Sequence, residues 1–80
     1  MIHVSSDQFH TLVHSLGLDR GKKIYRNYFA GTLNDPQCEP LVEKGLMQKC
    51  GTFNDGTGQY YSVTQKGIGF VRRFLLEATP

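Results

Sequence analysis

The sequence predicts a single α+β domain, and three observations carry the prediction. Apolar residues recur at helical spacing near both ends of the chain. Two short strand-like runs flank a Gly-rich stretch that holds Asp55-Gly56, and glycines fall where the first three helical patterns stop. With 80 residues there is room for one core, and a chain of this length buries only about 60–65% of the surface its unfolded form exposes. Association with a second copy is therefore an expected source of stability.

The elements follow in order. Ser5 and Gln8 have capping-box spacing, and Val4 and Phe9 occupy the two positions of a hydrophobic staple, so a helix should begin near Ser6. Phe9, Leu12, Val13 and Leu16 give it one apolar stripe, and Gly17 supplies the left-handed residue that ends it, with Leu18 folding back. Asp19 can cap a second helical segment, with Ile24, Tyr25, Tyr28 and Phe29 on one side, Lys22, Lys23 and Arg26 on the other, and Gly31 as the stop. Its aromatic and β-branched residues and Gly21 are weak helix formers, so part of Tyr25 to Gly31 could instead be extended.

Asn34-Asp35-Pro36 is a helix-start signal for a short third helix that runs to Lys44. Pro40 implies either that this helix begins near Glu39 or that its opening turn is distorted. Leu41 and Val42 face inward, and Gly45 ends the helix. Leu46 to Cys50 and Gln59 to Val63 form a hairpin with a long tip from Gly51 to Gly58, where Asp55-Gly56 favours positive φ. Thr64 then caps a final helix through Leu76, with Ile68, Val71 and Leu75 on one face and Phe70 and Phe74 beside them. Gly67 and Gly69 would each cost that helix about 1 kcal/mol relative to Ala, which points to close backbone packing.

Three helical segments, a β-hairpin and a closing helix follow the winged-helix order. Leu41-Val42-Glu43-Lys44-Gly45-Leu46-Met47, then Tyr61-Ser62-Val63-Thr64-Gln65-Lys66-Gly67, resembles the L-V-x-x-G-L, hairpin, V-T-x-x-G signature of winged helix-turn-helix regulators such as the multiple-antibiotic-resistance regulator family. The resemblance covers about the C-terminal half. It implies a winged helix on double-stranded DNA, with the helix before the hairpin in the major groove and the hairpin tip on the flanking backbone or minor groove. A second pattern spans most of the chain: Arg26-Asn27-Tyr28-Phe29, then Cys38, then Leu41-Val42-x-x-Gly45-Leu46-Met47. It is similar to small proteins of tailed phages and prophages, which often regulate phage genes or inhibit a host factor in the host cytoplasm.

These resemblances imply a cytoplasmic transcriptional regulator, with dimerisation expected because one short recognition helix reads little sequence. Lys22, Lys23 and Arg26 would grip phosphates, with Lys44, Lys49 and Lys66 as outlying contacts, while Gln37 and Asn54 would reach base edges. The charge pattern opposes this plan. Net charge is only +2, the tip carries Asp55 and no Lys or Arg, and Asp35 and Glu39 sit at the recognition helix's start. The alternative is a scaffold whose acidic surface of Asp35, Glu39, Glu43 and Asp55, with Phe53 as an aromatic anchor, binds a host protein such as a CRISPR effector or other defence factor and inhibits it. Tyr25, Tyr28, Phe29, Phe53, Tyr60 and Tyr61 exceed what a small core must bury, so one or two are expected at an interface, Phe53 first among them.

Other chemistries find little support. Cys38 and Cys50 have eleven residues between them, which is neither a zinc nor a redox spacing, and Cys38 reads as a buried packing residue. His10 and His14 lie one helical turn apart but without the Glu of a metalloprotease motif. No phosphate-binding loop or nucleophile elbow occurs, so neither catalysis, a metal nor a cofactor is expected. Met1 to Val13 lacks a leader pattern, and no apolar run exceeds three residues, so no membrane span is expected.

Overall fold

The computed structural model describes residues 3–18 and 23–78. Helix α1 (Ser6–Leu16) is followed by strand β1 (Phe29–Thr32), helix α2 (Glu39–Glu43), strands β2 (Met47–Phe53) and β3 (Gly58–Val63), and helix α3 (Gln65–Ala78). The strands form one antiparallel sheet in the order β1-β3-β2, which makes the fold α+β.

Both ends of α1 follow the sequence signals. Ser5 Oγ accepts from Gln8 N–H at 3.1 Å and Gln8 Oε1 accepts from Ser5 N–H at 2.9 Å, while Gly17 takes φ 78°. Leu12 and Leu16 are fully buried and Phe9 and Val13 pack partly against the same core.

The second helical segment is not formed in the described residues. From Ile24 the chain is extended and runs into β1, where Phe29 pairs with Tyr61 and Ala30 with Tyr60. The cause is the end of α1, whose last carbonyls need donors. Tyr25 N–H donates to Leu16 O at 3.3 Å, Tyr28 N–H to Ser15 O at 3.1 Å, and Arg26 Nε to His14 O at 3.0 Å. Asn27 then imitates a strand residue: its amide donates to Val63 O at 3.0 Å and accepts from Val63 N–H at 2.7 Å. Asn27→Ala removes both bonds and is expected to lower stability by about 1–2 kcal/mol, read as a lower urea midpoint with an unchanged slope. The Asp19 cap, Gly21 and Lys22 lie outside the described residues.

Helix α2 starts at Glu39 with Pro40 in its first turn, the later of the two expected starts. It ends in a Schellman motif: Gly45 has φ 77°, its N–H donates to Val42 O at 3.0 Å, and Leu46 N–H donates to Leu41 O at 2.9 Å. The hairpin strands are longer and the tip shorter than expected, because pairing continues to Phe53 opposite Gly58. Asn54, Asp55 and Gly56 make the turn with φ of 53°, 54° and 87°. A bulge between Lys49 and Thr52 absorbs the register shift, and the buried Gln59 amide fills it by donating to Cys50 O at 3.1 Å and Gly51 O at 3.0 Å.

Thr64 joins α2 to α3. Its hydroxyl donates to Gly45 O at 2.6 Å and accepts from Gly67 N–H at 3.1 Å, so one side chain caps both the stop of one helix and the start of the next. The core lies between the helices and one face of the sheet and includes Leu12, Leu16, Leu41, Leu46, Tyr61 and Val71.

Candidate interaction surface

Three of the predicted DNA-contact cations, Arg26, Lys44 and Lys49, are engaged by groups of the protein itself. The Arg26 guanidinium caps the carboxyl end of α1 at His14 O and lies 5.3 Å from the Tyr25 ring. Lys44 Nζ donates to His3 O at 2.6 Å and to Gln8 Oε1 at 3.1 Å, tying α2 to the start of α1. Lys49 Nζ lies 3.4 Å from Glu39 Oε1. Lys23 is exposed. Asn54 is a turn residue whose carbonyl accepts from the Thr57 hydroxyl at 2.7 Å. Gln37 lines an open cleft of about 390 Å³ between α1 and the turn before α2, together with Asp7, His10, Thr11, His14 and Phe29.

The acidic set divides in two. Asp35 closes the turn after β1, accepting from Thr32 N–H at 3.2 Å and Gln37 N–H at 2.9 Å. Glu39 Oε2 accepts from the Tyr61 hydroxyl at 2.8 Å, and that hydroxyl accepts from Asp35 N–H at 3.1 Å. Both carboxylates thus fix the approach to α2 on the sheet. Glu43 and Asp55 are exposed, on α2 and at the hairpin turn.

Phe53 is not an exposed tip anchor. Its ring folds back to 4.6 Å from Tyr60 and covers Gly58, where a Cβ would run into it. Gly58 leaves room for the ring, which is why Phe53 is half-buried.

The exposed aromatics stand elsewhere. Strand alternation places Tyr61 and Val63 in the core and Tyr60 and Ser62 on the opposite face. On that outer face Tyr60 meets Phe53 on one side and Tyr28 on the other, the latter at 6.2 Å and 79°. Tyr28 is 52% exposed and Tyr60 37%. Around them lie Ala30, Gln48, Cys50 and Ser62. Gln48 Nε2 donates to Ser62 Oγ at 3.1 Å, and the Cys50 thiol lies 3.2 Å from the same oxygen. The one charged residue in the three strands is Lys49, which pairs with the inward Tyr61 and reaches Glu39. The outer face is therefore aromatic, polar and uncharged.

The edges of the sheet are guarded where its face is not. Edge strand β2 carries the bulge and an exposed lysine, two devices that discourage further strand pairing, and β1 is four residues long with Asp35 on its Thr32 N–H.

The two cysteines differ sharply. Cys38 is fully buried, and burial together with the nearby Asp35 and Glu39 charges pushes its thiol up to about 12. Cys50 is exposed. Alkylation of the native protein near pH 8 is expected at Cys50 alone, and at both residues in denaturant, as read by mass spectrometry. The His10 and His14 rings lie 6.3 Å apart, and among the described residues no group of three His, Cys, Asp or Glu is placed to hold a metal ion. No helix among the described residues is long and apolar enough to cross a membrane.

Sequence reasoning identified the aromatic excess but ranked Phe53 above Tyr28 and Tyr60. The missing signal was the parity of β3, which the pairing of Phe29 with Tyr61 fixes. Compared with known proteins, the chain matches no family model, no curated protein and no solved structure.

Proposed function

We propose that this chain is a non-catalytic recognition module on a winged-helix-like scaffold that docks a protein partner through the outer face of its sheet, as a small inhibitor of a host factor would. The observation that carries the reading is the uncovered, uncharged face around Tyr28 and Tyr60, flanked by guarded edges. Tyrosine is suited to such a surface because its ring contributes area while its hydroxyl keeps the free surface wetted. The acidic residues contribute less than their number suggests, since Asp35 and Glu39 are bound within the fold.

A photo-crosslinking residue placed at Tyr60 tests this. In lysate of the host cell it should give a discrete adduct that the same residue at the exposed Gln65 does not. Equal labelling from both positions, or none from position 60, would reject the reading.

A second reading, a transcriptional regulator on double-stranded DNA, is favoured by the helix–hairpin–helix order from α2 to α3 and by the exposed Lys23 and Lys66. It must contend with an α2 of five residues, about 7.5 Å of helix, which presents few side chains to a major groove.

A further inference from the structure

We infer that Asp55, in the turn between β2 and β3, is a site of covalent modification, where the chain isomerises spontaneously to isoaspartate. The inference is independent of the docking reading. The chemistry needs the next backbone nitrogen to reach the side-chain carboxyl carbon. The Gly56 nitrogen attacks that carbon of Asp55, the hydroxyl of the carboxylic acid leaves with the nitrogen's proton as one water, and a five-membered succinimide closes. Water then adds to one of the two ring carbonyls. Opening at the main-chain carbonyl leaves Gly56 joined through the former side-chain carbon, which is isoaspartate, and opening at the other restores aspartate. One water is lost and one is gained, no electrons are transferred, and solvent is the only co-reactant.

The structure separates Asp55 from the other aspartates of the described residues. Asp7 is followed by Gln8, whose N–H is committed to Ser5 Oγ at 3.1 Å in the cap of α1. Asp35 is followed by Pro36, which has no N–H to lose, and its carboxylate is tied to the amides of Thr32 and Gln37. Asp55 is exposed, and among the described residues nothing holds its carboxylate. Gly56 has no side chain to shield its nitrogen. One bond opposes the attack, from Gly56 N–H to Phe53 O at 3.2 Å, which is at the long end of the N–H···O range. The turn gives it little support, since Asn54 and Asp55 both stand at positive φ, where residues with a side chain are strained, and exposed turns open locally at small cost. The same ring closure deamidates asparagine. Asn27 holds Val63 with both amide atoms, and the Tyr28 N–H after it is bonded to Ser15 O. The Asp35 N–H after Asn34 is bonded to the Tyr61 hydroxyl. Asn54 has neither restraint, but the side chain of Asp55 crowds the nitrogen that would attack it.

The test is to hold the full chain at physiological temperature and near-neutral pH for several weeks, with a second sample in guanidinium chloride, and then to map the peptides. An isoaspartyl peptide separates from its aspartyl form at identical mass, and electron-transfer fragmentation assigns the position. Isoaspartate should accumulate at Asp55 and at neither Asp7 nor Asp35, at a rate within about tenfold of that in the denatured sample, as expected where local opening costs little. Asp55→Glu should abolish the product at this position, because the larger ring closes far more slowly. Asp55→Asn should give the same isoaspartyl product faster, one mass unit above the unmodified variant, because ammonia leaves in place of water. The extra main-chain carbon lengthens the turn that sets Phe53 opposite Gly58, so the aged protein should show a second set of NMR signals for these two residues. Isoaspartate at position 55 in the denatured sample alone would overturn the inference, since the turn would then block the attack. Accumulation at Asp7 or Asp35 as fast as at Asp55, deamidation of Asn54 ahead of any change at Asp55, or an Asp55→Asn variant that stays intact would overturn it as well.

Discussion

Gly67→Val is expected to destabilise the protein by about 3 kcal/mol, a large share of the stability of so small a domain. A Cβ at Gly67 would run into the Leu46 carbonyl oxygen and Val63 Cγ1. That carbonyl cannot retreat freely, because it accepts from Thr64 N–H at 3.0 Å at the junction where α3 begins. Close approach of α3 to the sheet thus depends on the missing side chain. Gly69, two residues on, has nothing within 4 Å of where its Cβ would stand. Gly69→Ala should therefore raise stability by about 0.5–1 kcal/mol, through helix propensity alone. Opposite shifts of the urea midpoint in the two variants would establish that α3 is docked as described, and a midpoint for Gly67→Val at or above wild type would contradict it.

Tyr61→Phe should cost about 1–3 kcal/mol by leaving the Asp35 N–H and one Glu39 oxygen without their buried partner. The same variant alters the response to alkali. Burial, opposed by the hydrogen bond from Asp35 and reinforced by Glu39, pushes the Tyr61 hydroxyl up from its usual 10.0 to about 12, and the Cys38 thiol rises from 9.0 to about 12. In the unfolded chain both ionise at their ordinary values, so between about pH 9 and 12 the folded protein holds more protons than the unfolded one. Stability is then fully present below pH 9 and falls as pH rises through that window. Tyr61→Phe should flatten the upper part of the decline, from about pH 10, and Cys38→Ala the part that begins near pH 9. Denaturant unfolding at a series of pH values measures both slopes.

Local signals at helix ends were legible in the sequence because they act over three or four residues. Ser5 with Gln8, Gly17, Gly45 and Thr64 all perform the capping that their spacing implies. Segment 24–31 was the weak point, since its fate is decided by distant groups. The carbonyls of His14, Ser15 and Leu16 at the end of α1 and the backbone of Val63 draw it out into a strand, and no local pattern encodes those partners. The same non-local pairing decides which aromatics face outward. Tyr60 and Tyr61 are adjacent and chemically identical, yet one is on the surface and the other is the largest fully buried side chain. The cations were legible as residues but not as contacts: the ties of Lys44 to His3 and Lys49 to Glu39 depend on tertiary packing.

We propose that recognition belongs to the neutral aromatic face rather than to the lysine and arginine set. The most direct test is fluorescence anisotropy of a labelled mixed-sequence duplex titrated with the protein at about 50 and 200 mM salt, since phosphate binding must weaken steeply with salt. No saturable binding in the micromolar range is expected at either concentration. Micromolar binding that falls sharply between the two salts, and that Lys23→Ala weakens while Tyr60→Ala does not, would contradict it.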